Sequence, residues 1–173
     1  EHLVSEAATA AVDQLARGYE VELVSREGTL PFGVGARQRL AILERLALIV
    51  HEADFKFNQI ICIARGGMRV GDVLSRIYEQ PLAILSTHSY ASEGGTIRGE
   101  LVIAEHMTMT KPRLGDRVLL VDDMVDSGHT LEAVYKELPN RFPHMTALKT
   151  AVLWWKACSV FKPDFFVEYL PDN

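Results

Sequence analysis

Two periodicities alternate along the chain. Val4, Ala8, Ala11, Val12 and Leu15 recur at helical spacing, and Leu40, Leu43, Leu46, Ile49 and Val50 repeat that spacing after Gly33-Val34-Gly35, which predicts two amphipathic helices. Short apolar runs rich in β-branched residues follow at 59–64, 82–87, 117–123 and 147–155, and these predict strands buried on both faces. Helical spacing returns over 68–78 and 130–138, between the runs. The order strand, helix, strand, helix predicts an α/β fold, a mostly parallel central sheet flanked by helices. Ligands of such sheets bind beyond the carboxyl ends of the strands, so the segments following each run matter most.

Composition narrows the class. The 173 residues, without repeat or linker, make one domain, 1–173, in which residues 1–35 are expected to be a helical N-terminal extension. Hydrophobic residues make up 48% and charged residues 24%, which excludes a disordered or collagen-like chain. A net charge of −5, from 18 basic and 23 acidic residues, argues against a nucleic-acid partner. No apolar run exceeds five residues, well short of the ~18 needed for a membrane span. The opening Glu1-His2-Leu3-Val4-Ser5-Glu6 has neither the basic nor the apolar region of a secretory signal, so a soluble cytoplasmic protein without membrane association is expected. Cys62 and Cys158 each sit in an apolar stretch and read as small buried hydrophobes, not as a disulfide or zinc site.

The most informative segment is residues 118–130. Four apolar residues, Val118-Leu119-Leu120-Val121, make a strand; Asp122 and Asp123 then appear where it should emerge, and Asp126-Ser127-Gly128-His129-Thr130 leads into a helix. Neighbours on a regular strand point to opposite faces, so the two carboxylates can share a ligand only at a strand end. Free amides of residues 127–130, the Ser127 and Thr130 hydroxyls and the positive end of the helix dipole together suit a phosphate monoester. Phosphate in the loop and a diol on the acid pair would make a sugar-phosphate site. The plainer alternative stays open: two exposed aspartates and a capping serine that end a strand and start a helix. A phosphorylation receiver domain also pairs aspartates after a strand, but near its start and without the hydroxyl-rich loop.

A second loop, Ala64-Arg65-Gly66-Gly67, follows the run 59–64. Adjacent glycines permit close backbone approach, and Arg65 suits phosphate oxygens. The spacing fits neither the dinucleotide glycine fingerprint nor the Walker loop, so a plain turn is equally open.

These residues resemble the type I phosphoribosyltransferases. Residues 118–130 fit that family's signature of four apolar residues, two acids and a D-[ST]-G-x-T loop, with His129 where Lys or Arg is frequent. Ala64-Arg65-Gly66-Gly67 is similar to the family's pyrophosphate loop, and Ser89-Tyr90 to the pair opening the flexible loop of its 6-oxopurine members. Leu153-Trp154-Trp155-Lys156 and Lys162-Pro163-Asp164-Phe165 resemble the lysine-bearing strand and the K-P-D-[FY] segment of hypoxanthine-guanine enzymes.

The resemblance implies the family's fold, with a small and incompletely present hood because purine members continue beyond the position of Asn173. It implies a Mg²⁺-dependent enzyme moving ribose 5-phosphate from 5-phosphoribosyl 1-pyrophosphate to hypoxanthine, guanine or xanthine in nucleotide salvage. Arg65, Gly66, Gly67, Asp122, Asp123, Asp126, Ser127, Gly128, His129 and Thr130 would bind the donor, with Mg²⁺ reached by Asp122 and Asp123 through ribose hydroxyls or water. Asp126 would be the catalytic acid/base, Ser89 and Tyr90 would open the flexible loop, and Lys156 would donate to the 6-oxygen of the base. A homodimer is the expected assembly. The alternatives are a noncatalytic sensor of the donor or of a nucleotide, and a pyrimidine enzyme. Asp126 could instead be a helix cap, and Lys156 a snorkelling lysine with its head in water.

Overall fold

The computed structural model describes residues 20–25, 28–89 and 101–171. The predicted helix at Val4 to Leu15, Tyr90 and the body of the proposed flap lie outside them. Strands β3 (Gln59–Ala64), β4 (Leu82–Ser89), β7 (Arg117–Val121), β9 (Ala147–Lys156) and β10 (Phe165–Leu170) form a parallel array in the order β10-β9-β7-β3-β4. Short β5 (Leu101–Ile103) and β6 (Thr108–Met109) add antiparallel pairings to β4, and β8 (Met124–Val125) continues along β9. Helix α1 (Gly35–Glu52) precedes the sheet; α2 (Met68–Ile77) joins β3 to β4, and α3 (His129–Arg141) joins β8 to β9.

The unbroken apolar runs are explained by two cores, one on each face of the sheet. Ile42, Leu46 and Val50 of α1 and Val70 and Leu74 of α2 pack on Ile60, Cys62, Leu119 and Val121. On the other face Leu131, Val134 and Leu138 of α3 meet Ile61, Ile63, Ala83, Leu85, Val118 and Leu120. The alternate residues of β3 and β7 thus serve different cores, and truncating one to Ala would cost roughly 2–5 kcal/mol. Gly71 lets α2 approach this closely, since a Cβ there would lie 2.7 Å from Cys62 Cβ and 2.9 Å from Leu82 Cδ1. The buried Gln59 is satisfied, its Nε2 donating to the Ile60 and Pro81 carbonyls.

β10 is pinned to β9 by side chains as well as by its ladder. Asp164 accepts from the Thr150 amide at 2.9 Å, from Thr150 Oγ1 at 3.0 Å and from Lys149 Nζ at 2.6 Å, while its own amide donates to Thr150 Oγ1 at 2.9 Å. The K-P-D segment is therefore the fastener that starts the outer parallel strand.

Residues 20–25 and 28–34 depart from expectation. They form an antiparallel hairpin, β1 (Glu20–Ser25) with β2 (Gly28–Val34), where a helical extension was expected. The alternation Glu20-Val21-Glu22-Leu23 has a period of two, which favours a strand. Among the described residues no helix is long and apolar enough to cross a membrane.

Candidate active site

β3 and β7 are neighbours in the sheet, so the two loops singled out in the sequence emerge side by side at its carboxyl edge. A cleft of about 260 Å³ opens there, lined by Ala64 and Gly66 from one loop and by Asp122, Asp123, Asp126, Ser127, Gly128 and Thr130 from the other.

β7 ends at Val121, two residues earlier than expected, which places both aspartates outside the regular strand. The chain does not leave the sheet, however. The Asp122 amide donates to the Ala151 carbonyl at 3.2 Å, and the Asp123 carbonyl accepts from the Leu153 and Trp154 amides before β8 resumes pairing with β9. The interruption turns both carboxylates toward the cleft while the backbone stays anchored. Burial drives the Asp122 carboxyl well above the ordinary carboxylate range, and the adjacent Asp123 charge pushes it the same way.

The glycines of the second loop are there for space. A Cβ on Gly66 would fall 2.7 Å from Asp123 Cγ, and one on Gly67 would fall 2.6 Å from the Val121 carbonyl oxygen and 2.9 Å from Asp122 Cα. The loop therefore lies directly against the acid pair. The Ala64–Arg65 peptide is cis. Arg65 is exposed and Gly67 is buried beneath the loop, so neither lines the cleft.

The start of α3 is open. Gly128 is its N-cap, at φ +83°, and no side chain caps the helix, so Asp126 is not a cap. Glycine is required there twice over, by the left-handed backbone and because a Cβ would meet Ser159 Oγ and lie 2.8 Å from the Phe161 amide nitrogen. The loop after β9 supports the cradle, with the Val160 amide donating to the Ser127 carbonyl at 3.0 Å and Cys158 Sγ lying 3.7 Å from the Asp126 carbonyl. Uncapped amides at a helix start suit an anion. His129, the first residue of α3, is exposed and outside the cleft.

Lys156 is neither at the cleft wall nor in water. It is 2% exposed, and its Nζ donates to Asp126 Oδ1 at 2.8 Å. The partners differ sharply in environment, the lysine side chain being 3% exposed and the aspartate 53%. This overturns the snorkelling alternative and links the two residues assigned to the base. Ser89 closes β4, and Tyr90 lies outside the described residues. Cys158 is exposed, contrary to expectation, because β9 ends at Lys156 and the cysteine sits in the turn beyond; Cys62 is buried, and its thiol is pushed up to about 11 by that burial.

Sequence reasoning missed Ile63, Thr87, Met124 and Leu131 as cleft residues. The rule that found the two loops also covers Thr87, which stands near the carboxyl end of β4.

The fold has counterparts among solved structures. A xanthine-guanine-hypoxanthine phosphoribosyltransferase from Helicobacter pylori superposes with a TM-score of 0.65 at 27% identity, over 80% of this chain and 85% of that one. A purine phosphoribosyltransferase from Pyrococcus horikoshii gives 0.62 at 28% identity, over 80% and 89%. A hypoxanthine/guanine phosphoribosyltransferase of Methanocella arvoryzae is 34% identical over 100 residues, 54% of this chain and 50% of the relative. The match thus spans about half the length of such curated relatives. Residues 35–171, from the first helix through the last strand and including every element around the cleft, match the phosphoribosyl transferase domain, and the chain belongs to that family.

Proposed function

We propose that the chain transfers ribose 5-phosphate from 5-phosphoribosyl 1-pyrophosphate to a 6-oxopurine, hypoxanthine, guanine or xanthine, in nucleotide salvage. The observation that carries this reading is the placement of an acid pair and an uncapped helix start in one cleft, with a glycine loop packed on the acids. The 5-phosphate sits on residues 126–130, the ribose hydroxyls on Asp122 and Asp123, and the pyrophosphate on the Gly66 and Gly67 loop with Arg65 above it. His129, outside the cleft, reaches the donor only from its rim.

Mg²⁺ fits this arrangement as a shared ligand. Asp122 and Asp123 would reach the ion through ribose hydroxyls or water, and oxygens of the donor would complete its shell. When bound, the ion supplies positive charge against that gathering on the leaving group.

The bond from C1 of the ribose to the pyrophosphate oxygen breaks, its electron pair leaving with pyrophosphate, and a ring nitrogen of the base forms the new bond to C1. The sugar acquires oxocarbenium character between the two events, so the chain's contribution is to position and to neutralise. Asp126 takes the proton that the ring nitrogen releases. Its bond to Lys156 fixes the carboxylate, and the ammonium keeps two further donors, one of which would serve the 6-oxygen of a base seated beside Asp126. Adenine offers an amino group there and would leave that donor unmatched in a buried position.

Transfer from radiolabelled donor to a panel of purine and pyrimidine bases tests the reading. The expected result is turnover of at least one 6-oxopurine well above adenine and orotate, with the preference lost in Lys156→Met. Donor binding without transfer to any base would favour the sensor instead.

A further inference from the structure

Thr87 lines the cleft from β4, a strand that contributes neither of the two loops. On β4 the residues Ala83 and Leu85 face the core under α3, together with Ile61 and Ile63 of β3 and Leu131 and Val134 of α3. Side chains on a strand repeat every second residue, so Thr87 rises on that same face, above Leu85. This is the side of the sheet on which α3 begins. Thr130 and Leu131 of its first turn line the same cleft, and Ile63 lies between them and Thr87 on the intervening strand. Ile63 thus supplies an apolar side chain between the two threonines. Thr87 is half-buried at the cleft wall.

We propose that Thr87 is a second-side ligand for the sugar phosphate, its Oγ1 donating to a phosphate oxygen that the amides at the start of α3 hold from the opposite side. The inference rests on the phosphoribosyl reading above and extends it, because that reading draws the phosphate site from residues 126–130 alone. An anion held by one helix start is open to water on its far side. A hydroxyl across Ile63 closes that side without adding charge, and it selects a phosphate monoester with an oxygen to spare over a bulkier diester.

Calorimetry on the full chain separates the possibilities, with ribose 5-phosphate and inorganic pyrophosphate as probes. Thr87→Val keeps the branched shape and removes only the hydroxyl. Ribose 5-phosphate affinity should fall about tenfold, the scale of one hydrogen bond to a charged group. Pyrophosphate affinity should stay within about twofold of wild type, and Thr87→Ser should restore ribose 5-phosphate binding. Melting temperatures of all three proteins should agree within a few degrees. Equal ribose 5-phosphate affinity in Thr87→Val and wild type overturns the role of Thr87 while leaving the proposed function in place. A loss confined to pyrophosphate would overturn it as well, by placing Thr87 at the leaving group. Wild-type protein that binds neither probe overturns both readings together.

Discussion

Removing either partner of the Lys156–Asp126 pair should have unequal effects, because the two ends sit in different media. In Asp126→Ala the ammonium of Lys156, its side chain 3% exposed, loses its carboxylate and has almost no access to water. An uncompensated charge in a fully buried pair costs ~3–5 kcal/mol, and an unsatisfied buried donor ~1–3 kcal/mol. The aspartate is 53% exposed, so its removal opens a path for water and the expected loss is about 2 kcal/mol. In a domain of this size that lowers the melting temperature by roughly 5 °C. Lys156→Met leaves a carboxylate that water already solvates and fills the lysine site with an apolar chain of similar volume, so its stability should lie within about 1 kcal/mol of wild type. Asp126→Ala/Lys156→Met should then recover most of the loss. Urea titration of the four proteins reads the coupling directly. The reasoning is refuted if the two single changes add within ~0.5 kcal/mol, or if Lys156→Met proves the more damaging of the two.

Four further outcomes follow, two from the site and two from the cysteines. Asp122→Asn with Asp123→Asn should abolish transfer yet leave the melting temperature equal or raised, because it removes the burial and repulsion that strain Asp122; wild-type turnover would exclude the acid pair from the chemistry. Gly128→Ala should cost ~1–3 kcal/mol in urea, through its positive φ and the contact with Phe161, and should weaken ribose 5-phosphate binding by calorimetry; an unaltered midpoint would contradict that backbone geometry. A thiol reagent at pH 8 should modify Cys158 quickly and Cys62 only on unfolding. Since the Cys62 thiol is raised from 9.0 to about 11, the stability it contributes is complete below pH 9 and disappears as pH climbs toward 11; that slope should be absent from Cys62→Ala.

The central strands were legible because a strand covered on both faces must be apolar at every position, and Ile60-Ile61-Cys62-Ile63 satisfies that without help from distant residues. The loop at the start of α3 was legible because Asp126, Ser127, Gly128 and Thr130 gather small and hydroxyl residues between an apolar strand and a helix, and the structure adds that Gly128 is a left-handed N-cap. What escaped was set by neighbours in space. Cys158 has apolar flanks, but the sheet ends two residues before it. The Lys156–Asp126 bond spans 30 residues and leaves no local signal. Thr87 belongs to the cleft only because β4 lies beside β3. Of the N-terminal segment, the alternation in residues 20–23 was present in the sequence but was outweighed by the helical spacing upstream.

The break between β7 and β8 gives β9 an unusual position. Asp122 is tied to Ala151 of that strand, Asp123 to Leu153 and Trp154, and Val125 stands level with Trp155, one residue before the lysine. One strand therefore acts as a ruler with the acid pair and Lys156 marked on it a few residues apart. Slippage of β9 by a single residue would displace the acid pair and the Lys156–Asp126 bond together, so the separation between them is a property of one ladder and not of two loops adjusting independently. Length changes between relatives should accumulate in the connections around β9 and spare the stretch from Ala151 to Lys156.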